Sequence, residues 1–306
     1  MADWITEEDL LGTAPRQLSA ALTLQDGSHV GVIGGGPAGS FFAFFVLDLA
    51  ERMGLELQVD LYEPRNYTKP GPAGCNHCGG IISESMVQLL ATEGIDLPDH
   101  VIQRGIDSYV VHMGVGSTRI DTPLAEKRIA AVHRGAGPRG VVDHRWGSFD
   151  GHMLGLALAK GATLIDQRVD SLEWVDDYPQ ATTRKGVTRT YDLLVGASGI
   201  NSNSAKLFEG LGIGYQRPPT SKTYICEFPL GAETVESCLG NAMHVFLENI
   251  PRLEFAALIP KGDYVTVCLI GERIDKELVR RFLTSDSVRT CFPPGWEAPE
   301  SHCHCS

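Results

Sequence analysis

The chain has 306 residues, 43% of them hydrophobic and 21% charged, with a formal net charge of −12. That length is enough for a full core in one large or two smaller domains. The acidic balance excludes the basic stripe of a nucleic-acid surface, and no apolar run approaches the ~18 residues of a bilayer span.

In chain order, residues 1–28 read as a polar lead-in with a short helix near Arg16 to Leu22. Their start, MADWITEEDLLG, is acidic where a secretion signal is basic. The eight cysteines then point to free thiols in a reducing compartment, and the chain reads as cytoplasmic. Val30, Val32 and Ile33 predict a strand that runs into Gly34-Gly35-Gly36-Pro37-Ala38-Gly39, a G-x-G-x-x-G turn. Gly34 suits a tight turn, Gly36 lets a pyrophosphate approach, and Gly39 lets helix and strand pack closely. The spacing predicts a helix over 37–53 that starts on Pro37 and stops at Gly54. Its N-terminus offers N–H groups and partial positive charge to phosphates. Leu55, Leu57, Val59 and Leu61 alternate as a second strand that ends at Glu63. A carboxylate there accepts hydrogen bonds from ribose hydroxyls. Together these predict a dinucleotide-binding unit. The Phe41 to Leu47 run falls on its helix, where burial between layers accounts for it.

Asn66 to Gly80 is a glycine- and proline-rich loop holding Cys75-Asn76-His77-Cys78. A helix capped by Ser83 follows. Val101 to Ile120 has β character, and 133–140 is a glycine-rich connection. Phe149 to Lys160 is a second helix, closed by Gly161-Ala162. Thr163 to Asp166, Val169 to Trp174 and the apolar Tyr191 to Gly199 are strands, the last with the pattern of a buried parallel strand. Beyond Asn201 come Thr223 to Phe228, Ala242 to Leu247, a hairpin over 255–270 turning at Pro260-Lys261-Gly262-Asp263, and a helix from Lys276 to Thr284. The fold class is α/β: a Rossmann-type domain with an inserted, mostly antiparallel β-sheet domain. Residues 29–100 and 141–206 make up the first domain, and 101–140 with 207–306 make up the substrate domain.

The glycine turn with Glu63-Pro64-Arg65, the Cys78-Gly79-Gly80 loop, Arg145 with Phe149-Asp150, and Asp192 to Gly199 carry a family likeness. On these residues the chain resembles FAD-dependent oxidoreductases of the p-hydroxybenzoate hydroxylase fold, and within them the geranylgeranyl reductase-like branch. The resemblance implies that Gly34, Gly36, Pro37, Ala38 and Gly39 cradle the FAD pyrophosphate. It places Glu63, Pro64 and Arg65 at the adenosine ribose, Gly79 and Gly80 beside the flavin, and Val169 at the adenine. Ala197 and Gly199 would pass beside the dinucleotide. Arg145 would be a flavin or phosphate contact, although it precedes Phe-Asp by three residues where the family has two. Cys78 is the candidate active-site residue.

The family's late Gly-Asp motif has no counterpart here, since Gly262-Asp263 sits in the hairpin turn. A chain that stops before that motif is the favoured explanation. The implied activity is hydride transfer from reduced FAD to an unsaturated, apolar, prenyl-like substrate, with NAD(P)H or another reductant as electron donor. Flavin-dependent monooxygenation or halogenation is the alternative, and a non-catalytic nucleotide-binding module the second. Peripheral membrane contact, common among prenyl reductases, has no support in the sequence.

The Cys75–Cys78 pair reads as a flavin-proximal thiol, as inert thiols, or as half a metal site completed by His302 to Cys305. No metal is assigned. Cys226, Cys238, Cys268 and Cys291 read as small buried apolar residues. His144, His152 and His244 are scattered and form no triad, and no Gly-x-Ser-x-Gly elbow accompanies them.

Overall fold

The computed structural model describes residues 23–71, 78–138 and 147–299, together with the backbone of 303–305. The helix expected near Arg16 to Leu22, Cys75 to His77, Arg145 and the side chains of 302–305 lie outside the described residues. In chain order the first elements are β1 (His29–Ile33), α1 (Pro37–Met53), β2 (Gln58–Tyr62), β3 (Ile81–Ile82) and α2 (Glu84–Thr92). Four strands follow: β4 (Ile102–Ile106), β5 (Ser108–Met113), β6 (Gly116–Asp121) and β7 (Ile129–Val132). Then come α3 (Phe149–Ala159), β8 (Thr163–Ile165), β9 (Val169–Val175), β10 (Tyr178–Thr183), β11 (Thr188–Thr190) and β12 (Leu193–Gly196). The last part holds α4 (Ala205–Glu209), β13 (Thr223–Pro229), α5 (Ala232–Leu239), β14 (Ala242–Leu247), β15 (Leu253–Pro260) and β16 (Tyr264–Gly271). It closes with α6 (Lys276–Leu283), α7 (Asp286–Arg289) and β17 (Cys303–Cys305).

Four parallel strands in the order β12-β1-β2-β8 form the nucleotide-type sheet. α1 starts at Pro37 and ends where Gly54 takes φ 71°, a left-handed conformation that suits glycine. β2 is shorter than its apolar alternation predicts. Leu55 N–H closes the helix end on the Ala50 carbonyl, and Glu56 N–H is held by Asp26, so Leu55 and Leu57 lie in the connection. Val30, Val32, Val59 and Leu61 pack against Ala43 and Leu47 of α1 and against Leu154 and Ala157 of α3. Phe41, Phe44 and Phe45 point to a second cluster with Leu90, Val101, Phe149 and Met153. The aromatic run is therefore wedged between layers, as its position predicts. β12 corrects the expectation of a buried strand: it is an edge strand of this sheet, and Leu193, Leu194 and Val195 are half-buried.

The large sheet has seven strands in the order β17-β13-β16-β15-β14-β5-β6. All its pairings are antiparallel except β5 with β14, which places 108–113 in register beside 242–247. One face, carrying Phe228, Phe246, Leu258 and Val267, packs on Leu278 and Phe282 of α6 and on Val288. On the other face Ala257 and Ile259 meet Ile106, Ile129 and Ala131 from the small antiparallel sheet β3-β7-β4. That small sheet couples the two units, because β7 leads straight into His133, Arg134 and the approach to α3. Among the described residues no helix is long and apolar enough to cross a membrane.

Candidate functional site

The glycine turn is packed to contact at three positions. A Cβ on Gly34 would lie 2.4 Å from the Ala197 carbonyl oxygen, and one on Gly35 would lie 2.6 Å from Glu63 Cβ. On Gly39 it would lie 1.8 Å from the Gly34 carbonyl oxygen. Gly36 occupies the cap position of α1 with extended backbone and brings no side chain to the first-turn N–H groups. Such a helix start is suited to an anion. Ala197 N–H bonds to the Ile33 carbonyl at 2.8 Å, so the Ala197–Gly199 segment crosses directly over Gly34. Val169 is buried at the start of β9.

Glu63 is buried at the carboxyl end of β2, and its carboxylate is largely engaged. Oε2 accepts from Gly35 N–H at 2.9 Å and from the Tyr67 hydroxyl at 2.8 Å, while Oε1 accepts from Arg65 N–H at 2.8 Å. With two acceptor positions per oxygen, and counting the partners among the described residues, one on Oε1 remains for a ribose hydroxyl. The carboxylate sets the shape of the turn as well as offering a ligand contact. Pro64 and Arg65 are exposed beside it. Burial and the adjacent Glu63 carboxylate push the Tyr67 hydroxyl far above the ordinary phenol range, which keeps it a donor.

A second group lies where the small sheet meets the large one; sequence reasoning had Cys78, Gly79, Gly80 and Asp150 of it but missed Arg134, Lys261, Glu227 and His133. Cys78 is half-buried, and its Sγ accepts from Gly80 N–H at 3.2 Å. A Cβ on Gly79 would press on Ile259 and on Cys268 Sγ, and one on Gly80, at φ 71°, would lie 2.0 Å from the Val132 carbonyl oxygen. The loop thus lies flat against β7 and the β15–β16 hairpin. Arg134 neighbours Cys78 and holds the fully buried Asp150 through two bonds of 2.7 Å each. Asp150 follows Ser148, which caps α3 by accepting from Gly151 N–H. So the arginine that meets the Phe149-Asp150 motif among the described residues is Arg134, from the glycine-rich connection. Burial opposes its charge, but the Asp150 carboxylate overrides that and holds the guanidinium above its usual range.

Beneath this loop Lys261 is 1% exposed. The sequence places it in a hairpin turn, yet its ammonium reaches back to Glu227 at 3.1 Å. Glu227 Oε1 also accepts from Thr266 at 2.9 Å and faces His133 Nδ1 at 3.3 Å. Burial pushes the Glu227 carboxyl upward, but Lys261 and the His133 Nδ1–H overcome it and hold Glu227 below the carboxylate range. Burial and the Lys261 charge hold His133 down, so its ring is neutral and donates from Nδ1. Its buried Nε2 has no hydrogen-bond partner among the described residues. The site therefore holds three linked groups: Gly35, Glu63 and Tyr67 at the turn, Asp150, Arg134 and Cys78 at the loop, and Lys261, Glu227 and His133 beneath it.

Replacing Asp150 by asparagine keeps the shape but removes the charge opposing Arg134. The expected cost is about 2 kcal/mol in urea unfolding, and an unchanged midpoint would show that the pair does not brace α3.

No protein-family model matches the chain, and no curated protein sequence matches it. Its fold matches solved structures. The tetrameric form of 2-methyl-3-hydroxypyridine-5-carboxylic acid oxygenase shares 15% identity at a TM-score of 0.56, over 82% of this chain and 61% of that one. A flavoprotein/dehydrogenase from Cytophaga hutchinsonii shares 16% at 0.54, over 87% and 63%. FqzB shares 13% at 0.53, over 84% and 56%. At these identities the likeness is one of fold, and the chain spans about three fifths of the length of the structures it matches.

Proposed function

We propose that this chain is the FAD-binding and substrate-sheet portion of a flavin-dependent oxidoreductase, and that its reaction is oxygenation of a small molecule with reduced nicotinamide as electron source. The observation that carries the cofactor is the turn itself. Three glycines have no room for a Cβ, an uncapped helix start follows, and a carboxylate with one spare acceptor position stands at the end of β2. That combination fits a dinucleotide pyrophosphate and its adenosine ribose. Fold likeness to an oxygenase and to a flavoprotein supports the flavin and the reaction class.

When bound, FAD supplies two-electron redox chemistry, and the protein supplies binding and orientation. Gly34 to Gly39 would hold the pyrophosphate, Glu63 one ribose hydroxyl, and Ala197 to Gly199 the flank of the dinucleotide. The Cys78–Gly80 loop with Arg134 would form the wall nearest the redox centre. His133, neutral and buried, would present its Nε2 lone pair as a hydrogen-bond acceptor.

A second reading, reduction of an unsaturated apolar substrate, is favoured by one observation. The Cys78-Gly79-Gly80 loop lies against Ile259 at Gly79, which gives the loop an apolar neighbour. Halogenation has no such support, since the chain's four tryptophans are isolated and no Trp-x-Trp segment occurs.

The test is a visible absorption spectrum of the purified protein titrated with FAD, followed by oxygen consumption with NADH or NADPH. Perturbed flavin bands together with nicotinamide-dependent oxygen uptake are expected. Flavin bands without oxygen uptake would favour the reductase reading. No perturbation with FAD in excess would overturn the cofactor assignment.

A further inference from the structure

Three donor atoms from distant chain segments meet on the helix-covered face of the large sheet. His112 of β5, His244 of β14 and Cys291, just after α7, are all buried, and their ligating atoms lie within 4.8 Å of one another. His244 stands opposite Leu258 in register, on the helix-covered face, whereas the Cys78 loop touches Ile259 and Cys268 on the other. The cluster is therefore separate from the flavin site proposed above.

Hydrogen bonding serves it unevenly: Cys291 S–H also has the Ser287 carbonyl oxygen at 3.6 Å, but His244 Nδ1 stands between two neighbours. His112 Nε2 is 3.0 Å and Cys291 Sγ 3.2 Å from the same atom, His244 Nδ1. A neutral imidazole nitrogen has one proton or one lone pair, so it cannot give both neighbours a full-strength bond. A cation placed between the three atoms serves all of them at once. The surroundings already orient the ligands. Ser117 Oγ lies 2.7 Å from His112 Nδ1, so that nitrogen can donate outward and leave the Nε2 lone pair facing the cluster. Metal-ligating histidines carry such a partner on the other ring nitrogen. Phe246 stacks on the His112 ring at 4.4 Å and 6°, which fixes its plane. With zinc bonds of about 2.0–2.3 Å in a tetrahedral arrangement, neighbouring donors stand roughly 3.4 Å apart. The two spacings at His244 Nδ1 need to open by only a few tenths of an ångström, and the third, between His112 and Cys291, lies within 4.8 Å.

We propose that His112, His244 and Cys291 form a zinc site. Two imidazole nitrogens and one thiolate match the borderline softness of Zn2+, and three protein ligands leave one position for water. On binding, the Cys291 S–H proton passes to solvent as the S–Zn bond forms, and no oxidant or reductant is involved. The site would pin β5 and β14 to the helical layer, joining residues 132 apart in sequence.

The experiment uses the full chain stripped with a chelator, then given Zn2+ alone. Expected results are about one zinc per chain retained through gel filtration and a higher melting temperature on zinc addition. Co2+ in its place should give thiolate charge-transfer and tetrahedral d–d bands. Cys291→Ser should lose the charge-transfer band. Ser117→Ala, which removes no ligand, should weaken zinc ~10–100-fold while keeping the circular dichroism of the wild type. Three outcomes overturn the proposal. One is no zinc above background in the wild type. Another is zinc unaffected by Cys291→Ser but lost in a Cys75→Ser/Cys303→Ser variant. The third is preference for Cu2+ with an intense thiolate-to-copper band.

Discussion

Alanine at position 39 is expected to lower FAD affinity at least ~100-fold, about 2.7 kcal/mol, although alanine is the better helix former. Its Cβ would fall 1.8 Å from the Gly34 carbonyl oxygen. Gly34 cannot retreat, because it is itself packed against Ala197 and sits at φ 111°. Relief must come from moving the turn away from α1, which displaces the N–H groups that would face the pyrophosphate. Gly54, at the other end of the same helix, is the control. A Cβ there meets open space, so Gly54→Ala carries only the left-handed backbone cost of about 1–2 kcal/mol. It should leave FAD binding unchanged. Flavin fluorescence titration of both variants checks this, and equal affinities would remove the glycine turn from the cofactor site.

Replacing Lys261 by methionine should cost about 3–5 kcal/mol at neutral pH, since removing one partner leaves the other charge buried. Among the described residues Glu227 would then face Thr266 and a neutral His133. The pH dependence follows from the direction of the shift. In the wild type the folded Glu227 carboxyl titrates below its unfolded value of ~4.3. Its contribution is therefore fully present above that pH and is lost as pH falls through the folded value. In the variant, burial no longer opposed by Lys261 raises the carboxyl, so acid relieves the variant while it penalises the wild type. The gap between them should narrow on acidification, and the double variant Lys261→Met/Glu227→Gln should recover much of the loss at neutral pH. Urea unfolding across pH checks both. A small, pH-independent difference would mean that the buried pair is not what stabilises the hairpin.

The unit from β1 to β2 was legible because its signals are local: Pro37 and Gly54 mark the ends of α1, and Ser83 and Gly161 mark others. The β15–β16 hairpin was legible for the same reason. Lys261 was not, because a lysine in a Pro-Lys-Gly-Asp turn reads as solvated until Glu227, 34 residues earlier, is brought beneath it. Arg134 was hidden in a glycine-rich connection, and its partner Asp150 becomes visible only once α3 is docked. His244 looked scattered and Cys291 apolar because their meeting with His112 depends on a parallel pairing that no local pattern encodes. Glu63 was placed correctly, but its engagement by Tyr67 depends on the path of the loop after β2.

The parallel pairing of β5 with β14 also sets an order of events during synthesis. The β5–β6 hairpin is made early, but the strand that completes its other edge appears only when Ala242 to Leu247 emerges. At ordinary rates of chain elongation that wait is on the order of ten seconds. Throughout it Val110 and Val111 present an unpaired backbone edge, a template for strand addition by any neighbouring chain. A nascent chain halted before Ala242 therefore carries an open sheet, and its yield depends on what shields that edge until Ala242 to Leu247 arrives.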